Sequence, residues 1–275
     1  MSAGKMKAAF DLTGKTAVVT GGAGILGKEF CRGLAEFGAQ VAIVDVNAEG
    51  VEATAEILRK DYSCKCLPVV ADLTDPDSIR SMVDGVIGEF GSIDILHNNA
   101  AWKSDDLDGF YAPFEEYDYK IWRQVMAVNI DAMFLVAQAV GKEMLKNENG
   151  GSVIQTSSIY GVMGPDQRIY EGSEYMGRQI SSPACYSVSK AAVLGLTQYL
   201  AAYWGDKGIR VNSISPGGVE SGQNETFKSR YGARIPMGRM ARSNEMVGAL
   251  IFLASDASSY ITGENIMIDG GLSAW

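Results

Sequence analysis

The chain has 275 residues, 47% hydrophobic and 21% charged, a composition that excludes a disordered protein and allows one sizeable core, since α/β folds of ~250 residues often form one unit. A formal net charge of −9 and the lack of any basic run argue against nucleic acid as a partner, because phosphate contacts need a basic face. Cys31, Cys64, Cys66 and Cys185 lack zinc-site spacing and His97 is the one histidine, so no metal is expected and the thiols fit a reducing compartment.

Short β-branched runs alternate with longer amphipathic stretches, the pattern of βαβ units and a parallel sheet. The predicted strands, in chain order, are 16–20, 40–46, 66–71, 93–98, 151–158, 209–215 and 265–269, with helices over 25–37, 48–60, 75–90, 117–146, 184–204 and 243–254. Thr74 or Asp75 can cap the third helix, with Pro76 in its first turn. The fold class is therefore α/β: one doubly wound Rossmann-type sheet of about seven parallel strands, helices on both faces, in a single domain over 1–275. Segments 101–116 and 161–183 fit neither period. They follow the fourth and fifth strands at their carboxyl ends, where such sheets bind ligands. The opening "MSAGKMKAAF" lacks an apolar targeting core, and no stretch approaches the ~20 apolar residues of a membrane span, so a cytoplasmic protein without an anchor is expected.

"TAVVTGGAGILGKEF" runs from strand through glycines into helix. Gly21, Gly22, Gly24 and Gly27 let the chain turn tightly, bring the next helix's amides toward an anionic pyrophosphate, and let that helix pack closely on the sheet. A tight βα turn without a ligand has the same look. Asp45, ending the second strand, favours a dinucleotide: a carboxylate there accepts both adenosine ribose hydroxyls and repels a 2′-phosphate. NAD is expected over NADP, and the next residue, Val46, could not neutralise a phosphate. Farther on, Tyr186 and Lys190 stand four apart on one face of the 184–204 helix. A nearby ammonium favours the phenolate, which suits proton exchange with an alcohol or carbonyl. Elsewhere such a pair is usually ordinary surface.

The ordered set "TGGAGILG", "ADLTD", "NNAA", "VN", "SS", "YSVSK", "SPGG" and "ITGENIMIDGG" resembles the short-chain dehydrogenase/reductase family over nearly the whole chain. The resemblance implies Tyr186 as acid/base, Lys190 on the nicotinamide ribose, Ser158 rather than Ser157 on the reacting oxygen, and Asn129 in a proton relay. It also implies cofactor contacts from Gly21, Gly22, Gly24, Ile25, Leu26 and Gly27, then Asp45, Asp72, Leu73, Asn99 and Ala100, and from Tyr186, Lys190, Pro216, Gly217, Val219 and Ser221. Relatives of this size imply a homotetramer or homodimer, paired through the last strand and the long helices.

Three departures stand out. Ala101 replaces the glycine of the family's NNAG. The glycine turn reads TGxxGxxG, the spacing of the extended sugar-nucleotide branch, although the catalytic half is of the compact type. Ser158 and Tyr186 are 28 residues apart, longer than most relatives show, so the intervening segment must loop out beside the substrate.

That segment and the earlier loop are polar and aromatic, with Arg168, Arg178, Glu171, Glu174, Tyr170, Tyr175 and Lys103 among them. A polyhydroxylated substrate fits such walls better than a steroid or acyl chain, although the same charges also suit solvated loop tips. A carbohydrate or sugar acid is expected, with Arg168 and Lys103 as candidate anion contacts; the pattern resembles surface-sugar and flagellin-modification oxidoreductases, with sugar-acid dehydrogenases as close rivals. The alternatives are a non-sugar ketone or cyclic alcohol, and an idle NAD-binding sensor or scaffold. His97 lies inside a strand, which suits a structural role better than hydrolysis.

Overall fold

A computed structural model describes residues 5–175 and 177–275; Met176 of the 161–183 segment and the first four residues of the opening stretch lie outside them. Seven strands form one all-parallel sheet: β1 (Thr16–Thr20), β2 (Gln40–Asp45), β3 (Cys66–Val70), β4 (Ile95–Asn98), β5 (Gly151–Thr156), β6 (Ile209–Pro216) and β7 (Asn265–Ile268). Their spatial order is β3-β2-β1-β4-β5-β6-β7, so the direction of winding reverses beside β1, where β4 is its other neighbour. A crevice opens at the carboxyl ends of the strands there.

Alternation along the strands builds two apolar layers. Val18, Ala42, Val44, Leu96, Val153 and Val211 face α3 (Pro76–Phe90), α4 (Tyr119–Met144) and α5 (Ala184–Trp204). Ala17, Val19, Val41, Ile43, Ile95, Ile154 and Ile214 face α1 (Ile25–Glu36), α2 (Ala48–Tyr62) and α7 (Val247–Ala254). The cap of α3 is Asp75, whose side chain accepts the Asp77 amide at 2.9 Å.

Three expectations need correction. The helix expected over 117–146 is α4, and its middle, Ala127–Asp131, is a wide π turn. By length and composition this helix is apolar enough to span a membrane, contrary to the sequence reading; Met133, Val136, Val140 and Met144 bury one face of it in the protein's own core, while Phe134 stays exposed. A further helix, α6 (Glu225–Gly232), forms where none was expected.

The two irregular segments are folded. Segment 101–116 contains the turn of helix Leu107–Phe110 and the 3-10 turn Phe114–Glu116. Segment 161–183 contains the 3-10 turn Gln167–Tyr170 and an antiparallel pairing of Glu174–Tyr175 with Arg178–Gln179. Ile169, Tyr170 and Ile180 pack with Phe227 and Tyr231 of α6. Arg178 pairs with Asp108 at 2.7 Å, and the Ser181 hydroxyl donates to the Tyr111 carbonyl at 3.1 Å, so the two segments are tied together.

Candidate active site

The chain leaves β1 through Gly21, whose φ of +66° a side chain would resist. Gly27 is forced by contact: a Cβ there would lie 1.9 Å from the Gly21 carbonyl oxygen. Gly24 caps α1 without a side-chain partner, which leaves the first amides of a twelve-residue helix open toward an anion. The Thr20 hydroxyl oxygen accepts the Asn99 and Ala100 amides at 2.9 and 3.0 Å, and the Asn99 side chain donates to the Thr20 carbonyl at 3.0 Å. "TGG" and "NNAA" are thus one hydrogen-bonded unit. Ala101 keeps a φ outside the left-handed region, so the missing glycine leaves no strain there.

Asp45 ends β2 beside this unit, accepting the Ala23 amide through one oxygen and the Asn47 amide through the other, both at 3.1 Å. A cavity of about 450 Å³ lies between Gly21, Asp45, Asp72, Leu73, Ala100 and Val128. Asp72 is held by its own turn, accepting the Thr74 amide at 2.8 Å. The glycine cradle, the open helix end and the carboxylate together fit an adenine dinucleotide.

A second cavity, of about 660 Å³, continues from Gly21 and Asp45 past Ser158, Tyr186 and Lys190 to Pro216, Gly217, Val219 and Ser221. Tyr186 and Lys190 come from the start of α5. Lys190 is 2% exposed, donates to the Thr156 carbonyl at 2.9 Å, and holds its ammonium 6.0 Å from the Tyr186 ring centre. Ser157 donates to the Lys190 carbonyl at 2.7 Å, fixing β5 to α5, while Ser158 opens a short helix by accepting the Tyr160 amide at 3.2 Å. The two adjacent serines therefore do different work, and Ser158 is the one beside the phenol.

Burial pushes the Tyr186 phenol up, with the Ser158 hydroxyl partly offsetting it, and lowers Lys190 to about 8. Desolvation outweighs the expected pull of the ammonium on the phenol, because both groups are crowded by protein. Asn129 is fully buried in the π turn and does not line the cavity. Its carbonyl oxygen accepts the Trp102 amide at 2.8 Å, and its amide donates to Ser189 at 3.4 Å, which in turn donates to the Tyr186 carbonyl at 2.9 Å.

The substrate end contains residues that the sequence reading did not single out: Trp102, Tyr160, Gln223, Phe227, Tyr231 and Met240. Tyr160 could have been found from its place two residues after Ser158; Phe227 and Tyr231 belong to the unexpected α6. Lys103 also lines the cavity, its ammonium 3.9 Å over the Tyr175 ring. Arg168 does not: its guanidinium is paired with Asp166 at 2.8 Å and points into solvent. His97 is buried, bonded to the Thr156 hydroxyl at 2.9 Å and packed edge-on against Phe30, a structural placement.

A phenol, a hydroxyl and an ammonium gathered at one end of a dinucleotide-shaped crevice can exchange a proton with an alcohol or ketone oxygen. A family model described as enoyl-(acyl carrier protein) reductase matches residues 21–273. The chain belongs to the short-chain dehydrogenase/reductase family and is an oxidoreductase that binds a nicotinamide cofactor. It is 38% identical over 267 residues to D-threitol dehydrogenase of Mycolicibacterium smegmatis, covering 95% of this chain and 94% of that one. It is 35% identical over 267 residues to cis-4-hydroxycyclohexanecarboxylate dehydrogenase of Sinomonas cyclohexanicum, covering 94% and 97%. Among solved structures it is similar to gluconate 5-dehydrogenase of Burkholderia cenocepacia in complex with NADP and tartrate, with a TM-score of 0.85, 31% identity and coverage of 97% and 98%.

Proposed function

We propose that the protein interconverts a secondary alcohol and a ketone on a polar carbohydrate or sugar acid in the cytoplasm, with NAD preferred over NADP. The observation that carries this reading is the convergence of Ser158, Tyr186 and Lys190 on a cavity whose far end holds Asp45 and the glycine turn. The nicotinamide supplies or accepts a hydride when bound. In reduction, the protonated Tyr186 phenol would give its proton to the carbonyl oxygen as a hydride reaches the carbon, with the Ser158 hydroxyl steadying that oxygen; oxidation is the same transfer reversed. Lys190 would hold the nicotinamide ribose and stabilise the negative charge left on the phenol oxygen once its proton is given up. Asn129 fixes the Trp102 segment and, through Ser189, the start of α5, and stands at the base of a proton path.

The polar groups of Lys103, Tyr160, Gln223 and Tyr231, set among the mainly aromatic and apolar side chains of the substrate end, support a hydroxylated ligand, as do the threitol and gluconate activities named for relatives. A cyclic hydroxy acid is the second reading, favoured by the hydroxycyclohexanecarboxylate relative and by Lys103. The exposed Phe134, Val188, Tyr199 and Tyr203 on α4 and α5, with β7 at the open sheet edge, support a homodimer or homotetramer.

A panel of polyols, sugar acids and cyclic alcohols, followed at the nicotinamide absorbance, tests the reading. Tyr186→Phe should lose turnover by at least ~100-fold while retaining NADH binding. Wild type inactive on the whole panel would instead favour a cofactor-binding sensor.

A further inference from the structure

Tyr160, Tyr170 and Tyr231 line the cavity that holds the catalytic phenol, and together their hydroxyls keep two protons free. The Tyr231 oxygen accepts the Gly218 amide at 2.6 Å. The Tyr160 and Tyr170 hydroxyls lie 3.2 Å apart, so one donates to the other and the couple keeps one O–H free. Among the described residues neither the Tyr231 O–H nor the remaining O–H of the Tyr160–Tyr170 couple has an acceptor, although Tyr231 is only 3% exposed. A phenol has a single donor, and a buried donor left unpaired is costly.

The two hydroxyls are also held firmly. Phe227 packs between Tyr170 and Tyr231, with ring centres 5.5 and 5.4 Å away. Burial pushes both the Tyr160 and Tyr231 phenols up, and each lies within electrostatic reach of Tyr186. They therefore remain protonated donors at neutral pH.

We propose that Tyr160 and Tyr231 form a donor pair that recognises oxygen on the carbons flanking the reacting carbon, so that the preferred substrate is a vicinal diol or its α-hydroxyketone. The proposal rests on the carbohydrate reading above and narrows it. An isolated alcohol leaves both protons unpaired when it excludes water from the cavity, whereas a neighbouring substrate oxygen accepts them. Discrimination then comes from the cost of unmet hydrogen bonds in the wrong complex. Tyr231 has a second task, since its oxygen also holds the Gly218 amide of the "SPGG" segment.

The test compares kcat/KM for a polyol or sugar acid with that for its deoxy analogue lacking the neighbouring hydroxyl, in wild type, Tyr160→Phe and Tyr231→Phe. The expected result is a fall of about 10-fold in the ratio of the two values in each variant, with the dissociation constant for NADH within about twofold of wild type. An unchanged ratio overturns the proposal, whether both substrates lose equally or neither does. A rise in the NADH dissociation constant that accounts for the loss in Tyr231→Phe assigns that residue to the "SPGG" segment alone and also overturns the pair. Wild type inactive on all sugars overturns the functional reading and this proposal together; wild-type sugar turnover with an unchanged ratio overturns only this one.

Discussion

One carboxylate oxygen of Asp45 accepts the amide hydrogen of Ala23 at 3.1 Å, so the acid ending β2 and the glycine turn ending β1 hold one another in place. The negative charge consequently stands at a fixed point beside the crevice. Replacing Asp45 with Ser or Ala should shift the kcat/KM preference toward NADP by at least ~10-fold, through lost repulsion of the 2′-phosphate and lost acceptance of ribose hydroxyls. Steady-state kinetics with both cofactors checks this. Unchanged discrimination would remove Asp45 from the assignment.

Among the described residues, Lys103 and Lys190 are the cations lining the larger cavity and Asp45 is the carboxylate. Lys103→Glu should raise KM for a sugar acid by about 10-fold and more than for a neutral polyol, with the gap narrowing as salt increases. Arg168→Glu serves as the control because that guanidinium is paired with Asp166 outside the cavity. Equal KM values for acid and neutral substrates in Lys103→Glu would end the case for an anion contact.

His97 links acid stability to the sheet. Burial lowers its pKa from 6.5 to about 3, so the folded protein leaves the ring neutral over a range where the unfolded chain protonates it. Unfolding then takes up a proton as pH falls from 6.5 toward 3, and stability declines by up to ~1.4 kcal/mol per pH unit. Above 6.5 the ring adds no pH dependence. Denaturant unfolding at several pH values should show a shallower acid limb in His97→Gln than in wild type, by about one proton. An identical slope would mean that the ring is charged in the fold.

What the sequence made legible follows from how local each signal was. The bounds of α5 were readable because Pro183 immediately precedes it, an apolar helical period runs through Val193, Leu200, Ala201 and Trp204, and Gly205 follows it. Tyr186 and Lys190 then share a face by spacing alone. The π turn at Asn129 had no such signal, since it depends on contacts with Trp102 and Ser189, which are distant in sequence. α6 was missed because its outward residues are polar and only Phe227 and Tyr231 mark the inner face, too few for a period. Arg168 had been expected near an anion, but Asp166, two residues earlier, takes its guanidinium. Composition pointed to polar loops, but most of their charged side chains stay outside the cavity, whose lining is largely aromatic and apolar.

The Arg178–Asp108 pair and the Ser181–Tyr111 bond join the two segments around the substrate end. Any re-engineering of one segment is therefore coupled to the other. A loop transplanted from a relative at 161–183 would arrive without its counterpart at 101–116, and the recipient would inherit half of a recognition surface. Specificity in this chain is best exchanged as a matched set, with α6 moved alongside both loops.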